Sequence, residues 1–214
     1  MPTPPPPFLA IEGNIGAGKT TLARALAERF DRRLILEEFS DNPFLPPFYR
    51  EPERYALPVE LFFMAERHKQ FAAELAQSEL FAGGVVSDYF FEKTLLFARN
   101  SLKSDEYRLF NRLFRIMDAG FPKPDLIVYL HRPVAALQQN IHKRGRAFET
   151  EIADAYLESV ERAYFDYFRT GCTSPVLVLE LGNLDFVARP ELVAAMATEL
   201  SPGLPKGMHY RKLS

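Results

Sequence analysis

The stretch Gly13 to Thr20 reads GNIGAGKT and fits the spacing G-x-x-x-x-G-K-[S/T]. Gly13, Gly16 and Gly18 let backbone amides turn inward around an anion, with Asn14, Ile15 and Ala17 completing the loop. Lys19 can reach the terminal phosphates of a nucleoside triphosphate. Thr20 offers a hydroxyl to Mg²⁺, and Thr21 carries the loop into the next element. The motif lies between the apolar run FLAI at 8–11 and a helical pattern at 19–30, which is the setting it requires.

A phosphate grip does not name its acceptor. The strings N-K-x-D and D-x-x-G, which a guanine-nucleotide switch uses for its base and its second switch, are absent. A small-molecule kinase combines the same grip with late arginines, because phosphoryl transfer is largely positioning and neutralisation of charge. The run NIHKRGRAFE at 140–149 supplies Lys143, Arg144 and Arg146 in that place, although a solvated helix end has the same composition. Beside the phosphate grip, an arginine lid is the stronger reading. His68, His131, His142 and His209 have no partners at ligand spacing, so no zinc site is expected.

The 214 residues suffice for one domain with a substantial core. Lys and Arg number 26 against 28 Asp and Glu, which leaves no global positive field to gather nucleic acid or an anionic membrane. No run approaches the roughly 18 apolar residues of a membrane span, and the single cysteine, Cys172, fits a reducing compartment. A soluble cytoplasmic protein is expected. The start MPTPPPP, residues 1–7, reads as a disordered extended arm, and SPGLPKGMHYRKLS at 201–214 as a flexible tail. Residues 8–200 are then the single domain.

Apolar runs at 8–11, 34–38, 84–88, 125–130 and 175–181 read as buried strands. Helical spacing fills 19–30, 53–80, 91–100, 103–119, 133–144, 150–169 and 189–199. Alternation of this kind implies right-handed crossovers and an α/β fold whose parallel sheet is covered by helices on both faces.

The ordered motifs IEGNIGAGKTT, EEFSDNPFL, FYREPERY, ELFFMAERHKQ, SDYFFEKTLLFA, PDLIVYL and KRGRAFE resemble the deoxynucleoside kinase family, especially its bacterial deoxyguanosine and deoxyadenosine kinase branch. The similarity runs from Phe8 to about Phe186. It implies a P-loop kinase with a five-stranded parallel sheet, a homodimer built from helices, and transfer of the ATP γ-phosphate to a deoxynucleoside 5′-hydroxyl in nucleotide salvage. Two alternatives stand beside it. A nucleoside monophosphate kinase would need basic residues for the acceptor's own phosphate, with Arg67 the obvious candidate on the long helix. An ATP-binding regulatory protein without turnover would not need Glu37.

The resemblance places the catalytic base at Glu37 or Glu38, whose side chains would point to opposite faces of a strand, and spacing to the following DNP favours Glu37. Arg144 and Arg146 would stabilise the transferring phosphoryl group. Tyr49 and Glu149 fall on the pair that holds the 3′-hydroxyl, and Asp88 on the acid that helps Thr20 hold Mg²⁺ beside the substrate. Two positions depart from the family. Tyr89 stands where much of it has an arginine touching the 5′ end of the substrate, and Asn140 replaces the first lid arginine. Glu60 and Arg67 fall on the positions that hold the nucleobase, and at i and i+7 they share a helix face. An ionised Glu60 would only accept hydrogen bonds and Arg67 only donate, which matches the N1–H, 2-amino, O6 and N7 groups of guanine. Deoxyguanosine or deoxyinosine is therefore the expected substrate, ahead of deoxyadenosine and deoxycytidine.

Overall fold

The computed structural model describes residues 5–37, 42–75, 83–118, 120–149, 151–186, 188–200 and 203–213. Its strands are β1 (Phe8–Gly13), β2 (Arg33–Ile35), β3 (Val85–Ser87), β4 (Leu126–His131), β5 (Pro175–Glu180) and β6 (Gly207–Lys212). They form one parallel sheet in the order β2-β3-β1-β4-β5-β6. The helices are α1 (Lys19–Phe30), α2 (Leu45–Arg50), α3 (Pro52–Leu75), α4 (Lys93–Ser101), α5 (Ser104–Met117), α6 (Val134–Arg144), α7 (Asp154–Thr170) and α8 (Glu191–Glu199). Among the described residues, none is long and apolar enough to cross a membrane.

Successive residues of the central strands feed opposite faces, as the period of two requires. Leu9 and Ile11 of β1, with Val128 and Leu130 of β4, pack against Leu22 and Leu26 of α1, Leu137 of α6 and Met196 of α8. Phe8 and Ala10, with Ile127 and Tyr129, pack against Phe71 of α3, Phe110 of α5 and Tyr164 of α7. The strands are apolar on both sides because both sides are covered.

Two expectations are corrected. The sheet has six strands among the described residues and not five, because the segment read as a flexible tail pairs Gly207 to Lys212 with Pro175 to Glu180 residue for residue. An edge strand needs backbone partners on one side only, so GMHYRK carries little apolar pattern. The arm was set outside the fold, yet Pro7 accepts from the Val85 amide at 2.7 Å, and Pro5 and Pro6 accept from the Arg32 guanidinium. The short α2 has no counterpart among the expected helices: its sequence LPPFYR has prolines in the first turn, and burial of Leu45 and Phe48 against Ala56 and Val59 holds it.

Candidate active site

The site lies at the carboxyl ends of β1, β3 and β4, where the chain leaves β1 for strands on either side, the usual crevice of such sheets. Gly16 and Gly18 shape the phosphate loop. Their φ values are 81° and 98°, and a Cβ at either would lie 2.7 Å from the Leu137 carbonyl oxygen or the Phe186 ring. Asn140, at the place of the absent lid arginine, donates its side-chain amide to the Gly16 carbonyl at 2.8 Å and so ties the loop to α6. Lys19 Nζ donates to the carbonyls of Gly13 and Asn14, both at 3.0 Å. Burial lowers its pKa to about 8, and the nearby Lys93 charge adds to that.

Thr20 Oγ1 donates to Asp88 Oδ2 at 2.5 Å, and Asp88 Oδ1 accepts from the Glu37 amide at 2.7 Å. Thr20 and Asp88 thus bring a hydroxyl and a carboxylate, both hard oxygens, to the mouth of the phosphate loop. That donor set suits Mg²⁺, which keeps several waters and takes few protein ligands. Among the described residues no group of three or more His, Cys, Asp or Glu could hold a metal, so a protein-only cage is not offered.

Beyond this pair lies a cavity of about 120 Å³ lined by Glu37, Tyr49, Glu60, Arg67, Lys93, Arg144, Arg146 and Glu149, together with Lys19, Thr20 and Asp88. The residues singled out in the sequence for both phosphate and acceptor do converge. Strand β2 stops at Ile35, so Glu37 is placed by the loop after it and not by strand alternation, while its alternative Glu38 lies outside the described residues. Glu37 Oε1 accepts from Arg67 Nε at 2.8 Å and Nη2 at 2.5 Å, and Oε2 from Lys93 Nζ at 3.2 Å. Burial alone would raise this carboxyl, but Arg67 and Lys93 outweigh burial and hold it at about 2.

Arg67 therefore faces Glu37, with a further bond from Nη1 to Thr94 Oγ1 at 2.9 Å. Glu60, expected to be ionised, is 2 % exposed with Oε2 unpartnered, and burial pushes its carboxyl up to about 8 despite Arg67. The correction has a simple cause: the guanidinium that would have stabilised its charge is held by Glu37. At neutral pH Glu60 is mainly a carboxylic acid, able to donate as well as accept.

Tyr49 stacks on Phe148 with ring centroids 6.5 Å apart and planes 7° from parallel, and meets the edge of Tyr156 at 6.1 Å. Glu149, 4 % exposed, accepts from Arg144 and, at 3.1 Å, from Arg146. Arg144, Arg146 and Glu149 are thus one cluster. Tyr89 turns the other way: it is fully buried, and its hydroxyl donates to Gln70 Oε1 at 2.5 Å.

Sequence reasoning missed Lys93 and Glu12, which are 3.5 Å apart and both buried. The signal was present as the lone cation in YFFEKTLLFA after its acidic neighbour, and as the lone charge in FLAIEG. It also missed Arg132, which donates to the carbonyls of Ala17, Gly182 and Leu184 at 3.1, 3.0 and 2.6 Å and lies 5.5 Å from the Phe186 ring centre. Arg132, Ala17, Leu184 and Phe186 border a second groove of about 490 Å³ on the outer side of the phosphate loop.

The model of the deoxynucleoside kinase family matches residues 9–201. A deoxyguanosine kinase of Bacillus subtilis is 36 % identical over 160 residues, 74 % of this chain and 76 % of that protein. A deoxyadenosine/deoxycytidine kinase of the same organism is 30 % identical over 190 residues, 84 % of this chain and 85 % of that one. A solved deoxyadenosine kinase from M. mycoides with bound dATP superposes with a TM-score of 0.74 over 88 % of this chain and 98 % of its own, at 19 % identity, which speaks to the fold. With a glycine-rich phosphate loop and a carboxylate-lined cavity meeting at the carboxyl ends of the central strands, and a family match along nearly the whole chain, the protein belongs to the deoxynucleoside kinase family.

Proposed function

We propose that the deoxynucleoside preferred by this kinase is deoxyguanosine, that ATP is the donor, and that Thr20 and Asp88 hold the Mg²⁺ that neutralises the donor's phosphates. The observation that carries the reading is the Glu37 carboxylate, which lines one cavity with Lys19 on the phosphate side and with Glu60 and Arg67 on the other. Phosphate sits on the backbone amides of the loop and on Lys19. The acceptor's 5′-hydroxyl hydrogen-bonds to Glu37, its 3′-hydroxyl to Tyr49 and Glu149, and its base lies against Glu60 and Arg67. A carboxylate as acidic as Glu37 orients the hydroxyl first. It takes the proton only as the oxygen bonds to phosphorus, when that proton becomes strongly acidic. Arg144 and Arg146 move from Glu149 to the transferring group.

Guanine presents two adjacent donors, which an ionised Glu60 would accept. Ionising a carboxyl of pKa about 8 at pH 7 costs on the order of 1 kcal/mol, and the neutral acid pairs with adenine N1 and its 6-amino group, so at neutral pH the discrimination rests on the Arg67 donors facing guanine O6 and N7. The three bonds that Arg67 makes to Glu37 and Thr94 leave two of its five N–H groups for the base. The similarity to a deoxyguanosine kinase of B. subtilis points the same way. A monophosphate acceptor is disfavoured, because Arg67, Lys93, Arg144 and Arg146 already face carboxylates within the cavity.

We also infer a homodimer built from helices, since Leu109, Leu113 and Ile116 leave an apolar stripe on α5, with Ile116 76 % exposed, and a cytoplasmic place in keeping with the single cysteine. Light scattering of Leu113→Glu, against a wild-type dimer, tests that face. For the substrate, steady-state kinetics with the four deoxynucleosides decides: a wild type that favours deoxyadenosine or thymidine, or a Glu60→Gln variant with unchanged ranking, overturns the assignment.

A further inference from the structure

Lys93 opens α4 and is 3 % exposed, deep among apolar side chains, with the Phe97 ring centre 5.8 Å from its Nζ. A buried ammonium is costly unless it is paired and hydrogen-bonded. Its Nζ lies 3.2 Å from Glu37 Oε2 and 3.5 Å from Glu12 Oε2, and the Tyr164 hydroxyl donates to that same Glu12 oxygen at 2.7 Å. Glu12 has no exposed surface and sits on the sheet face of Phe8 and Ala10, toward α4 and α7. The cluster of Glu12, Glu37, Arg67 and Lys93 carries two positive and two negative formal charges. Lys19 and Asp88 complete the charged groups around it.

We propose that Lys93 is a positioning residue of the acceptor site: with Arg67 it grips the Glu37 carboxylate from two sides and fills the cationic place that Tyr89 leaves. The inference rests on Glu37 as the group that receives the 5′-hydroxyl. Arg67 holds Oε1 and Lys93 holds Oε2, so neither oxygen is left to swing. A purely structural Glu12–Lys93 pair would close on itself, yet Lys93 also reaches a carboxylate on another element and borders the cavity. During transfer the 5′-oxygen bonds to the γ-phosphorus, the bond from phosphorus to the bridging oxygen breaks with loss of ADP, and the hydroxyl proton passes to Glu37. Lys93 and Arg67 keep that acceptor aligned along the way, while Tyr89 serves the core.

The test removes the ammonium without stranding Glu12. Lys93→Met is made in a Glu12→Gln background and compared with Glu12→Gln alone, with circular dichroism and binding of a fluorescent ATP analogue reporting the fold. The expected result is a fall in kcat of ~100-fold with KM for deoxyguanosine within ~3-fold, the pattern of lost alignment. Lys93→Arg, in otherwise wild-type protein, should retain kcat within ~10-fold, since a guanidinium can span both carboxylates. A double variant whose kcat stays within ~3-fold of Glu12→Gln, while Glu37→Gln is inactive, overturns the role of Lys93 alone. A fully active Glu37→Gln overturns both that role and the assignment of Glu37.

Discussion

The two ends of the active site are built on different principles. The donor end is eight consecutive residues whose glycines bend the backbone, with Asn140 and Arg132 bracing the loop from outside. The acceptor end is assembled from the loop after β2, helices α2, α3 and α4, the turn after β3 and the loop after α6. Within it Glu37 and Glu60 do not keep the chemistry they would have alone. Glu37 and Glu60 are both buried glutamates on one cavity, but Glu37 is held at about 2 and Glu60 is pushed up to about 8. Burial raises both, and the difference is cations in contact: Arg67 meets Glu37 through two nitrogens and Lys93 through one, while Glu60 receives only the more distant field of Arg67. A backbone-made site is local; a charge-made site is mutual.

That contrast can be broken first at the donor end. Lys19→Ala should abolish transfer, with a loss of at least ~10³-fold in kcat/KM, while the thermal midpoint stays near the wild-type value, because Lys19 serves phosphates and not the core. Turnover near wild type would end the phosphate-grip reading. At the acceptor end Glu37→Gln should keep nucleoside binding by calorimetry and lose at least ~100-fold in kcat.

The third prediction sharpens the contrast between the two glutamates. The Glu60 carboxyl is neutral below about 8 and ionised above it. Raising the pH from 7 to 9 removes the cost of ionisation for guanine and leaves adenine facing a charge. The kcat/KM ratio of deoxyguanosine to deoxyadenosine should therefore rise by up to ~100-fold, about tenfold from each base, and Glu60→Gln should flatten it. An elevated carboxyl pKa also means that the fold loses stability as pH rises from the unfolded value near 4.5 toward 8. The gain in thermal midpoint from Glu60→Gln should accordingly be larger at pH 9 than at pH 6, by differential scanning calorimetry. The smallest effect belongs to Tyr89→Phe, which removes one buried hydrogen bond to Gln70 and should cost ~1 kcal/mol, or ~2–4 °C in the thermal midpoint, with kcat unchanged. A large kcat loss there would return Tyr89 to the acceptor site.

What was legible in the sequence follows the same division. Helix α1 begins and ends where its apolar spacing puts it, at Lys19 and Phe30, and five strands were visible as apolar runs because both sheet faces are buried. Strand β6 was not, since an edge strand is written in backbone bonds more than in side-chain pattern, nor was α2, whose prolines read equally as a turn. Glu60 and Arg67 could be put on one helix face from their spacing, but not which carboxylate the arginine would choose, because Glu37 arrives from another strand's loop. Lys93 stood in plain sight as a charge among phenylalanines, and only its two carboxylate partners show what it is for.

The strand recovered from the tail has a consequence at the rim of the sheet. One rim is β2, only three residues long, and the other is β6, whose outer residues include His209, Arg211 and Lys212. Short strands and basic side chains at the margin both discourage a neighbouring chain from adding its own strand to the open row of amides and carbonyls. Six parallel strands could otherwise template growth from chain to chain at high concentration. With both margins blunted, the sheet stays a private scaffold.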